Sequence, residues 1–115
     1  MKGPGDVFGI ESSHNEALDD SPGITVKSSQ GLLYGWHIKN TTPAALYVQF
    51  FDAAGVGDVN LGTTTPKLSI GIEANGKAES SLARPLTFGL GICIFSTTTV
   101  GGSTSAVSDV EVFFA

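Results

Sequence analysis

The sequence predicts an all-β chain: an antiparallel β-sandwich, of jelly-roll or immunoglobulin-like type, behind an extended N-terminal arm. Two observations carry this. From residue 23 onward, short runs alternate apolar and polar side chains with period two, and clusters of Gly, Thr, Asn and Pro punctuate them. The first 22 residues have neither feature. They set Asp6, Glu11, Glu16, Asp19 and Asp20 against Lys2, a net of −4 out of the chain's −5. The chain therefore divides into an acidic arm, residues 1–22, and a sandwich domain, residues 23–115.

Within the arm, Ser13 and Glu16 have capping-box spacing and allow one helical turn over Ser13–Asp19. The first strand begins at Ile24 and Val26, after the breaker Ser21-Pro22-Gly23. Gln30-Gly31 leads into Leu32–Lys39, where Tyr34, Trp36 and Ile38 share the apolar face against His37 and Lys39. Asn40-Thr41-Thr42-Pro43 is a turn, because Pro43 fixes its own φ and disfavours helical geometry at Thr42. In Ala45–Phe51, Leu46, Val48 and Phe50 alternate with Tyr47, Gln49 and Phe51. A glycine-rich connection, Asp52–Pro66, precedes Leu68, Ile70 and Ile72. Asn75-Gly76 then predicts a hairpin, since both residues tolerate positive φ, with Lys77–Leu82 as the return strand. Leu86, Phe88, Leu90, Ile92 and Ile94 make the cleanest alternating run, with Gly89 and Gly91 leaving a flat strip opposite. A glycine turn at 101–102 leads to Val110, Val112 and Phe114, with Phe113 on the other face. The predicted core holds Trp36, Leu46, Val48, Ile70, Phe88, Leu90, Ile92 and Val112.

A chain of 115 residues is one domain that buries enough surface to fold without staples. The lone Cys93 excludes an internal disulfide framework. Six scattered bases on an acidic chain argue against nucleic acid as a partner. No signal-like or membrane-spanning apolar run is present, so the reading is a soluble protein made in a cytoplasm. Charged residues are 15% of the chain, well below the usual quarter, which suits a subunit covered by partners.

Catalytic patterns are missing. His14 and His37 have no neighbours at metal-ligand spacing, and no serine sits in a G-x-S-x-G turn. Cys93, between Ile92 and Ile94, reads as a packed residue. Asp52, Asp58 and Asn60 lack the spacing of a calcium loop, and Asn40-Thr41-Thr42 is a sequon that a chain without a secretory signal does not use. The expectation is no enzyme, no cofactor and no metal. Tyr34, Trp36 and Tyr47 are the aromatic residues that a sugar platform would draw on, with Tyr47 on the exposed parity. Phe51, Phe95 and Phe113 each point away from the apolar face of their strand, as residues at a subunit contact would.

The runs Leu33-Tyr34-Gly35-Trp36-His37-Ile38-Lys39-Asn40-Thr41 and Leu46-Tyr47-Val48-Gln49-Phe50-Phe51-Asp52 resemble a group of small β-sandwich virion proteins of tailed bacteriophages. So do Gly62-Thr63-Thr64-Thr65-Pro66 and Asp109-Val110-Glu111-Val112-Phe113-Phe114. The resemblance spans roughly Gly31 to Ala115 and carries no active-site motif. It implies a capsid cement or decoration subunit on the virion exterior, binding across neighbouring major capsid proteins and associating with itself, most often as a trimer. The alternative is a tail- or head-fibre module that recognises host glycans. The partner-binding candidates are Val7, Phe8, Ile10 and Leu18 in the arm, with Phe51, Phe95 and Phe113 in the body.

Overall fold

The computed structural model describes residues 10–18, 23–99 and 108–115. Among these, eight strands form two antiparallel four-stranded sheets packed as a β-sandwich. They are β1 (Glu11–Leu18), β2 (Ile24–Lys27), β3 (Gly31–Lys39), β4 (Leu46–Asp52), β5 (Leu68–Ile72), β6 (Lys77–Phe88), β7 (Ile92–Thr97) and β8 (Ser108–Phe114). One sheet runs β1-β8-β3-β6 and the other β2-β7-β4-β5. The pairs β1–β8, β2–β7, β3–β6 and β4–β5 nest inside one another like a long hairpin rolled up across its width. That is the jelly roll, the first of the two sandwich types open from the sequence.

The arm contributes the eighth strand. Residues 11–18 are not an appendage and not a helical turn: Glu11 pairs with Phe114, Ser13 with Val112 and Asn15 with Val110. The β8 edge offers a row of backbone donors and acceptors, and pairing a whole strand outweighs one local capping box. Leu18 then inserts into the core at 1% exposure. The sandwich begins at Glu11, not Gly23, and residues 13–18, where the sequence allowed one helical turn, are strand.

The core joins Leu18 to Leu33, Ile38, Val48, Phe50, Phe88, Ile92 and Val112, among others. Trp36 and Ile70 pack against it half-buried, the Trp36 ring 5.9 Å from that of Phe50. Leu90 departs from expectation. It is 63% exposed because β6 ends at Phe88 and Gly89–Gly91 is a turn rather than mid-strand. The Asp52 carboxylate fixes that turn, accepting hydrogen bonds from the amides of Leu90 (2.7 Å), Gly89 (3.1 Å) and Gly91 (3.4 Å).

The Asn75-Gly76 turn forms, with Asn75 at φ 56° and the Gly76 amide donating to the Glu73 carbonyl. It joins β5 of one sheet to β6 of the other, so the expected hairpin is a crossing between layers. Asn40 holds the corner. Its buried side-chain amide donates to the carbonyls of Ala44, Ile72 and Glu73, so the sequon asparagine is wholly engaged in structure. The glycine turn expected at 101–102 lies outside the described residues.

Candidate functional site

The aromatic residues of wrong parity separate into two groups. Phe51 and Phe95 meet edge to face, their centroids 5.5 Å apart, on the outer side of the second sheet. The long connection folds over them: Val56, Val59 and Leu61 close a second small core with Ala53 and Cys93, leaving Phe51 at 1% and Phe95 at 3% exposure. Gly23, at φ +72°, lets the backbone pass over the Phe95 ring, where a Cβ would stand 2.4 Å from it. Both phenylalanines are therefore covered by their own chain and are not subunit contacts. Leu18 is removed from the partner-binding set for the same reason. Cys93 lies in this small core with Sγ 3.3 Å from the Ala53 carbonyl, and burial pushes its thiol pKa up, away from reactivity.

Phe113 is different. It is half-buried on the outer face of the first sheet, and what surrounds it follows from register. His14 of β1 stands opposite Glu111 of β8, Glu111 opposite His37 of β3, and His37 opposite Glu79 of β6. Period-two alternation puts all four on the outer face, so a row of imidazole and carboxylate groups crosses the whole sheet. Within it His37 Nε2 lies 2.9 Å from Glu79, and His14 Nε2 reaches back to Asp109 at 2.7 Å. One row further along, Ser12, Phe113, Gly35 and Ser81 are aligned.

A bulge opens this second row. The registers of β3 against both neighbours shift between Leu33 and Gly35, and the β6 side of the irregularity contains Pro85, a residue confined to such interruptions. A Cβ on Gly35 would lie 2.3 Å from the Ser80 carbonyl oxygen, so the position demands glycine. The extra residue also breaks the parity expected along β3. Trp36 and Ile38 keep the core side while Tyr34 turns to the outer face.

Two adjoining clefts result. One, of about 460 Å³, is lined by His37, Glu79, Ser81, Glu111 and Phe113 together with Trp36 and Ser80. The other, of about 380 Å³, is lined by Ile10, Tyr34, Ser81, Leu82 and Phe113. Ile10 and Phe113 are thus the two partner-binding candidates that the fold brings together, and Val7 and Phe8 lie outside the described residues. His37, Glu79, Glu111, Ser81 and Leu82 were not anticipated at this site, since only strand order brings them together. Tyr47, expected to be free for a ligand, lies over Gly71, its ring 2.9 Å from where a Cβ would be. Among the described residues no cluster of His, Cys, Asp and Glu has metal-binding geometry, and no helix is long and apolar enough to cross a membrane.

No family model matches the chain, and no curated protein matches it. Among solved structures, a subunit of Bacillus endospore appendages, described as a novel family of disulfide-linked pili, aligns with 91% of this chain and 86% of its own. The identity is 12% and the TM-score 0.33, a likeness too slight to support an argument about either fold or function.

Proposed function

We propose that the protein is a non-enzymatic structural subunit of a phage virion, a jelly-roll cement or decoration protein. It would sit on the capsid exterior, bind across neighbouring major capsid proteins and associate with itself as a trimer. The observation that supports this reading best is where the N-terminal segment joins the body. Ile10 stands at the head of edge strand β1 beside Phe113, Tyr34 and Leu82. Residues 1–9, with Val7 and Phe8 in their sequence, therefore join the body at a group of half-buried apolar side chains, next to a sheet edge. Apolar side chains at the point where a segment with two more of them joins the body are suited to clasping a neighbour. Copy number in purified particles tests the role: hundreds of copies agree with cement, and a handful would reject it.

The second reading is a tail- or head-fibre module that recognises glycans. The aromatic and carboxylate groups gathered on the outer face of the first sheet favour it, at Tyr34 and Phe113 rather than at Tyr47.

A further inference from the structure

From the edges of the two sheets we infer that β5 is a self-pairing surface. Two copies of the chain join antiparallel along it, about a two-fold axis at Ile70, so that the β2-β7-β4-β5 sheets of both run on as one sheet of eight strands. Such a pair is distinct from the trimer proposed above and does not involve the clefts of the first sheet.

Among the described residues the edge strands are β1 and β6 of one sheet and β2 and β5 of the other. An edge offers backbone donors and acceptors to another strand, and charges, prolines, bulges or shortness blunt it. The first three edges carry such devices. β1 contains Glu11 and a register shift after Asn15, and β2 is four residues long, ends at Lys27 and is also shifted. β6 contains Lys77, Glu79, Arg84 and Pro85, and its register against β3 is broken. β5 has none of them. Leu68-Ser69-Ile70-Gly71-Ile72 is uncharged, lacks proline, and pairs with β4 without a shift from Leu68↔Phe50 to Ile72↔Leu46. Leu68 and Ile70 are only half-buried there.

The flanks of the strand say what it fits. Lys67 stands immediately before β5 and Glu73 immediately after it, both exposed. Antiparallel pairing about Ile70 sets Leu68 against Ile72 of the second copy, Ser69 against Gly71, and Ile70 against its own equivalent. Lys67 then faces Glu73 at both ends of the contact. Opposed residues share parity, so the apolar side chains of both copies stay on the core side. A slip of one residue would break that match, a slip of two would part the unlike charges, and parallel pairing would set like charges together. An isologous contact needs a patch complementary to itself, and the run from Lys67 to Glu73 is one. Both charges are available: Glu73 forms no ion pair among the described residues, and Lys67 Nζ stands 5.5 Å from the centre of the Phe88 ring on a flexible stem. Five residues a side make a small contact, so the pair is weak in dilute solution and gains where copies are held close together.

The test is analytical ultracentrifugation of the full-length protein from micromolar to millimolar concentration, with ¹⁵N NMR to locate the contact. A monomer–dimer equilibrium is expected, with concentration-dependent shifts centred on residues 67–73. Lys67→Glu and Glu73→Lys should each weaken the dimer about tenfold, because each sets like charges together at both ends. Mixed in equal amounts, these two variants should pair with one another as tightly as the parent pairs with itself, since unlike charges meet again at both ends. The double exchange, Lys67→Glu with Glu73→Lys, should likewise regain self-association. A thermal melt of each variant separates loss of pairing from loss of fold, and Glu73→Lys carries the test alone if Lys67→Glu, which gives up the Phe88 contact, fails to fold. A parent chain still monomeric at millimolar concentration would overturn the proposal. So would shifts centred elsewhere, single variants that associate as tightly as the parent, or no recovery on mixing. A trimer without shifts at β5 would also overturn it, and would leave the virion reading standing, since copy number in particles is measured separately.

Discussion

Asp52 shows how one side chain decides the local path of the chain. Partial burial alone would raise its pKa, but hydrogen bonds from the Leu90, Gly89 and Gly91 amides, helped by Lys67, bring it below the ordinary value of 3.8. A depressed folded pKa has a definite sign. The stabilisation is complete above the pKa of the unfolded chain and is lost as pH falls through the lower folded value. Asp52→Asn should therefore melt below the parent at pH 7, and the gap should close as pH falls below 4. Asp52→Ala should cost about 1–3 kcal/mol in denaturant unfolding, whereas Leu90→Ser at the tip of the same turn should be neutral. Ser69 offers the opposite case. Its buried hydroxyl finds no partner among the described residues, so Ser69→Ala should leave stability unchanged or raise it. In the sequence, Leu86 to Ile94 reads as one strand because the alternation never breaks. The interruption comes from a carboxylate 38 positions away from Leu90, which no local pattern contains.

At the scale of elements, the eighth strand is the finding of most consequence. Alternation of apolar with polar residues placed the break between β6 and β7 after Leu82 instead of at Gly89–Gly91, but in number it made seven strands legible. β1 was not, because its inward-facing positions include Ser13 and Asn15, and only Leu18 is a large apolar residue in the core. Its stability comes from the β8 ladder, which lies almost a hundred residues away. The cover on Phe51 and Phe95 was hidden for the same reason. Their parity was read correctly, yet Val56, Val59 and Leu61 lie in a connection without periodicity. Leu18→Ala should cost about 2–5 kcal/mol, as for a buried leucine that leaves a cavity. Phe88→Ala, across the same core, should cost about 3–5 kcal/mol. Removing residues 1–22 should then unfold the protein or drive it to associate through the bared β8 edge, seen as lost melting cooperativity or a rise in light scattering. A truncated chain as stable and as monodisperse as the parent would mean that β1 contributes nothing.

For the whole molecule, the jelly roll takes residues 11–18 of the N-terminal segment into an edge strand, and residues 1–9 lie outside the described residues. Of the apolar arm residues first considered for docking, only Val7, Phe8 and Ile10 remain, and Phe113 is the one body phenylalanine left for a subunit contact. Within residues 1–9, Lys2 balances Asp6, so this segment carries no net side-chain charge, and the other four acids of the first 22 residues lie further along the chain. On the proposed reading, docking of this segment is then apolar. Burying Val7 and Phe8 would supply about 1.5–3 kcal/mol each, offset by about 1–2 kcal/mol for every backbone residue ordered. The result is a modest contact that becomes useful when repeated across a shell. Deleting residues 1–9 should therefore leave the melting temperature unchanged while weakening attachment to particles. Val7→Ser with Phe8→Ser should reproduce the loss, and raising salt from low to physiological should hardly change it. Release of the parent protein by salt alone would show that charge, not these two side chains, holds the subunit in place.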